Sequence, residues 1–123
     1  MIINNKEIKF LRTVSATCDI ADLCEDGSLE NYTKLFEGPQ SQVIKAKAKI
    51  IVALNNGYEI NKALEDSEYK ASPITVEQVL ALTSDDFIAL FDEAFDALFY
   101  SEEAKPTVET EPSKKEEAEV EGK

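Results

Sequence analysis

The chain has no histidine and no tryptophan, and only two cysteines, one methionine and four glycines in 123 residues. Without histidine, the commonest general base and triad partner is missing, along with a frequent metal ligand. Two cysteines would need carboxylates to complete a zinc site, an arrangement that structural zinc centres seldom use. The glycines stand singly, so no glycine-rich loop cradles a phosphate. No apolar run nears the roughly 18 residues that cross a bilayer, and "MIINNKEIKF" lacks the basic flank and apolar stretch of a secretory leader. A cytosolic protein without membrane contact is therefore expected, with Cys18 and Cys24 as reduced small hydrophobes.

Positive charge is scarce: 13 basic against 25 acidic side chains give a formal net charge of -12. Such a chain repels phosphate backbones, which argues against nucleic acid as a ligand. With 43% hydrophobic and 31% charged residues the composition is that of a globular protein, and the length suits one core.

Turn signals and periodicity divide the chain. Asn4-Asn5-Lys6, between Ile2-Ile3 and Ile8 to Leu11, reads as a small β-hairpin. Val14, Cys18 and Ala21, with Ile20, Leu23 and Cys24 alongside, have helical spacing that stops at Asp26-Gly27. Ser28 is placed to cap a short helix carrying Leu29, Tyr32, Leu35 and Phe36 and ending at Gly38-Pro39. "SQVIKAKAKIIVALNNG" predicts a helix from Ser41, closed by Asn56-Gly57, with Lys47 inside its apolar arc and snorkelling outward. A separate helical piece over Glu59 to Glu65 turns Ile60, Ala63 and Leu64 inward. Thr75 with Gln78 forms a capping box, and Thr83 or Ser84 starts a last helix whose positive end suits Asp85 and Asp86. The expected fold is mainly α: a small N-terminal hairpin, then a compact bundle of about five to six short helices in one domain over residues 1–100. An acidic tail over 101–123, with two prolines and almost no large apolar residue, reads as disordered.

Motif tests mostly fail. Asp22, Asp26, Gly27 and Leu29 fit four positions of a calcium loop, but Cys24 and Thr33 occupy two ligand positions that need hard oxygen donors. The acidic pairs Asp85-Asp86, Asp92-Glu93 and Glu102-Glu103 read as solvated helix faces. No catalytic residue, metal ligand or cofactor is assigned, and a non-enzymatic protein is expected.

The strongest feature is "DDFIALFDEAFDALFYSEE", with Phe87, Phe91, Phe95 and Phe99 at every fourth position. At about 100° per residue its apolar arc covers about 200°, about twice what a helix packed on one side needs. Either this helix is central and covered from two directions, or Phe87, Leu90, Phe91 and Leu98 fill the core. In the second case Ile88, Phe95 and Phe99 offer an apolar shoulder to another chain.

The Ile-Lys-Phe strand followed by Thr13-Val14, then Asp19-Ile20-Ala21-Asp22-Leu23-Cys24 and an acidic, lysine-containing C-terminus, resembles the tail assembly chaperones of long-tailed bacteriophages, especially those of Gram-positive hosts. The resemblance implies a virion-assembly protein of the host cytoplasm that binds and solubilises the tape measure protein, recruits tail tube protein and self-associates. It also implies a longer form made by frameshifting, for which codons at Lys114-Lys115 are a candidate slippery run. A small acidic regulator or nucleic-acid mimic binding a basic partner is the alternative.

Overall fold

Asn4 and Asn5 adopt φ values of 54° and 65°, the left-handed pair that a two-residue hairpin turn requires and that asparagine tolerates. They join β1 (Ile2–Ile3) to β2 (Lys6–Glu7), antiparallel with Ile2 opposite Glu7 and Ile3 opposite Lys6. The computed structural model describes residues 1–104, with side chains through residue 99.

The second strand, expected over Ile8 to Leu11, is instead Lys6–Glu7, because the turn closes at once after Asn5; residues 8–13 belong to no strand and lead to α1 (Val14–Ala21). Thr13 caps α1, its hydroxyl accepting from the Ala16 amide at 3.1 Å. A 3₁₀ helix (Leu29–Phe36), α2 (Gln40–Glu65), α3 (Val76–Leu80) and α4 (Ser84–Ala104) follow. The described residues are thus mainly helical behind a small N-terminal hairpin, with five helices, as expected; two of them, of 26 and 21 residues, are long rather than short. Both halves of the Thr75–Gln78 capping box form, and the Thr83 hydroxyl accepts from the Asp86 amide at 3.2 Å to start α4. Helix α4 runs four residues into the segment expected as tail; the tail from residue 105, including Lys114-Lys115, lies outside the described residues.

Helix α2 is the hub, and α1, the 3₁₀ helix, α3 and α4 all pack on it. It contributes Ala48, Ile50, Ile51, Ala53 and Leu54 to a core completed by Ile8, Ala16, Ile20, Ile74, Val79, Leu90, Ala94 and Leu98. The expected break at Asn56-Gly57 is absent, and α2 continues to Glu65. Neighbouring groups explain Gly57 of the expected stop and the adjacent Asn55. Asn55 is buried, donating to the Lys9 carbonyl at 2.9 Å and accepting from the Ile74 amide at 2.7 Å, so it ties two extended segments to the helix. A Cβ on Gly57 would lie 2.5 Å from the Leu11 carbonyl oxygen and 2.9 Å from the Thr13 hydroxyl. The glycine admits the crossing chain.

Four expected burials are reversed, Cys18 among them. Val14 is 83% exposed, Ile60 47% and Leu64 80%. Helix α1 turns Ala16 and Ile20 to the core instead of Val14 and Cys18, and it ends before Cys24, which is buried beyond it. The two thiols are unbridged.

Candidate functional site

Helix α4 buries Leu90, Ala94 and Leu98 on one stripe, with Phe87, Phe91, Phe95 and Phe99 partly buried beside it. The 3₁₀ helix supplies what covers the outer three rings. Tyr32 lies 6.1 Å from Phe95 and 5.1 Å from Phe99; Phe36 lies 5.9 Å from Phe91 and 6.0 Å from Phe95, all centroid to centroid and steeply inclined. Within the row Phe91–Phe95 and Phe95–Phe99 are 5.5 and 4.9 Å apart. The edge-to-face pairs among these, Phe36–Phe91, Phe36–Phe95 and Phe95–Phe99, add about 0.5–1.5 kcal/mol each to area burial. The Lys47 ammonium lies 5.7 Å from the Phe36 centroid and 5.0 Å from Phe91, a cation–π pair in place of the expected outward snorkel.

Of the three residues expected to form a partner-binding shoulder, Phe95 and Phe99 therefore meet in one aromatic cluster. Ile88 stands apart, two turns nearer the start of α4. It is 58% exposed and, with Leu80 at 42%, borders a groove of about 430 Å³ floored by Ile44, Val79 and Phe87. Phe91, expected in the core, is instead part of the aromatic row.

A second groove of about 430 Å³ runs between the start of α1 and the end of α2, lined by Leu11, Val14, Ile60 and Leu64 with Thr13, Asn56 and Asn61. Its one charged lining residue, Arg12, donates to the Leu98 carbonyl at 2.8 Å and to the Thr17 hydroxyl at 3.1 Å. This groove was missed from sequence because its apolar residues keep helical spacing and so read as core. Ile44 and Ile60 are 16 residues apart, which sets the two grooves roughly 24 Å apart along α2 and on nearly opposite sides of it.

Among the described residues the buried carboxylate is Glu59, fully enclosed on α2. Its Oε1 accepts from Lys6 Nζ at 2.7 Å, the Tyr69 hydroxyl at 2.7 Å and the Ser72 amide at 3.0 Å. Oε2 is buried with no hydrogen-bond partner among the described residues. Burial pushes the Glu59 carboxyl up, but the hydrogen bonds from Lys6, Ser72 and Tyr69 outweigh it and hold it below the usual carboxylate range. Burial pulls Lys6 down and the Glu59 contact more than reverses this, while the bond to Glu59 and then burial raise Tyr69. Glu59 stays ionised at neutral pH and ties the hairpin and the chain after α2 to that helix.

The exposed acids Asp92, Glu93 and Asp96 line the outer side of α4. No helix among the described residues is long and apolar enough to cross a membrane. No protein-family model, curated protein or solved structure matches this chain.

Proposed function

We propose that this protein is a binding chaperone without catalytic chemistry, which holds an apolar helical partner in solution. Following the resemblance of its first hundred residues to phage tail assembly chaperones, that partner is the tape measure protein, bound in the host cytoplasm, with tail tube protein and further copies of the chain joining during assembly. The observation that carries the reading is the α1–α2 groove, where Val14 and Leu64 remain 83% and 80% exposed beside Leu11 and Ile60. Large apolar side chains gathered in one groove whose single charged lining residue, Arg12, is engaged with the Leu98 carbonyl and Thr17 are surface kept for another polypeptide. A second groove at Leu80 and Ile88, partly apolar with Lys47 and Gln40 in its lining and turned to the other side of α2, supports contact with more than one chain at a time.

Co-expression with the tape measure protein of the same genome tests the proposal. The partner is expected in the soluble fraction with the wild-type chain and in the pellet when Val14→Asp and Leu64→Asp are combined. Unchanged solubility with the wild-type chain would sink the assignment. An acidic regulator is separated by ionic strength, since a complex held by charge weakens steeply with salt whereas apolar contact does not.

A further inference from the structure

Segment 28–37 covers the Phe91–Phe95–Phe99 row with two rings, and the geometry points to a displaceable lid that yields this row to a partner helix bearing large apolar side chains, aromatic at the second, at positions i and i+4. The inference rests on the binding function proposed above and adds a site and its control.

The lid is built for release. Its eight-residue 3₁₀ helix has no fully buried side chain, breaks helical geometry at Asn31 (φ -98°, ψ 22°) and begins at Ser28 without a side-chain cap. These are marks of low local stability. Gly27 and Gly38 bracket it with φ of 71° and 100°. A Cβ on Gly27 would meet nothing within 4 Å, and one on Gly38 only the end of Gln42 at 3.9 Å. Both glycines therefore serve backbone conformation, with room around each hinge.

Lifting the lid leaves α4 anchored, because Leu90, Ala94 and Leu98 belong to the cluster built on α2 and the backbone of α4 is satisfied within its own helix, although Leu29 and Leu35 of the lid also leave the edge of that cluster. The phenylalanine row would lose the two rings that cover it, and uncovered rings need a replacement. The lid itself describes that replacement, since Tyr32 and Phe36 are an i, i+4 pair. Lys47 remains over Phe91 when Phe36 leaves, which favours an aromatic residue in the vacated place. The exposed acids Asp92 and Asp96 follow Phe91 and Phe95 along the helix and give the row an acidic border, so the partner helix carries lysine or arginine beside its apolar stripe.

A soluble alanine–lysine helical peptide with Tyr and Phe four residues apart is titrated into the full-length chain and followed by calorimetry. Combining Tyr32→Ala with Phe36→Ala removes the competitor and is expected to tighten binding roughly tenfold, because the closed state no longer reduces the competent fraction. Reversing the border with Asp92→Lys and Asp96→Lys, exposed positions outside the packing, is expected to weaken this peptide several-fold and to strengthen a glutamate-flanked version. Amides 29–36 are expected to exchange faster than those of the middle of α2. Unchanged or weaker binding by the lid variant would overturn the proposal, as would indifference to the border reversal, protection of 29–36 equal to α2, or dimerisation of the lid variant without tighter peptide binding. If the tape measure protein is still solubilised in any of those cases, the lid is wrong and the chaperone reading stands on its grooves.

Discussion

Glu59 concentrates three donors on one oxygen of a fully buried carboxylate, so its removal should be felt well beyond the lost charge. Glu59→Ala leaves Lys6, Tyr69 and the Ser72 amide without their acceptor and is expected to cost about 3–5 kcal/mol in urea unfolding. Glu59→Gln keeps an acceptor and should cost about half as much, with Lys6 free to reach water. Because the folded carboxyl sits below its unfolded value near about 4.3, its contribution is complete above that pH and is lost as acid protonates it in the fold. Lys6 and Tyr69 are raised, so their contribution is present below about pH 10 and lost above it. Urea midpoints should therefore be flat through neutrality and fall at both extremes, and Glu59→Gln should flatten the acid limb. Gly57 offers the opposite test of ordinary expectation. Glycine to alanine inside a helix normally gains about 1 kcal/mol, but here the new methyl meets the Leu11 carbonyl, and Gly57→Ala is expected to lose about 1–3 kcal/mol. Neither role was visible in the residue order. Asn56-Gly57 carries the signature of a helix stop, and only the crossing of residues 9–13 shows that the glycine serves clearance.

At the scale of the helix, α4 separates stability from binding. Leu98 is wholly buried, so Leu98→Ala is expected to cost about 2–5 kcal/mol. Phe99 belongs to the partly covered row, and Phe99→Ala should cost clearly less while weakening partner binding more; equal losses of stability with binding intact would make the row purely structural. The wide apolar arc of α4 was legible from its spacing, and so was the cap at Thr83. What spacing does not reveal is the neighbour. Along one arc Ile88 is left exposed while Phe95 and Phe99 receive Tyr32, because the rings of the 3₁₀ helix meet α4 only from Phe91 onward. For α1 the same limit changed the outcome: of the expected apolar set Ile20 is buried while Val14 and Cys18 lie outside, and Ala16, not in that set, faces the core.

For the molecule as a whole, a net charge of -12 and exposed apolar grooves make different demands on a partner. If the grooves carry the binding, raising salt from 0.1 to 0.5 M should change affinity for the partner by less than about threefold, whereas a charge-held complex would fall by orders of magnitude over that range. The helical class, the hairpin turn at Asn4-Asn5, the capping box at Thr75 and the scarcity of catalytic side chains all follow from residue order, because each depends on contacts within a few positions along the chain. Which apolar side chains lie outside, why α2 runs unbroken through Asn55 and Gly57, and how Tyr32 and Phe36 come to cover the phenylalanine row depend on segments distant in sequence. Those choices belong to the packing around α2, where a single shared volume decides which of several equally apolar helix faces is covered and which remains open.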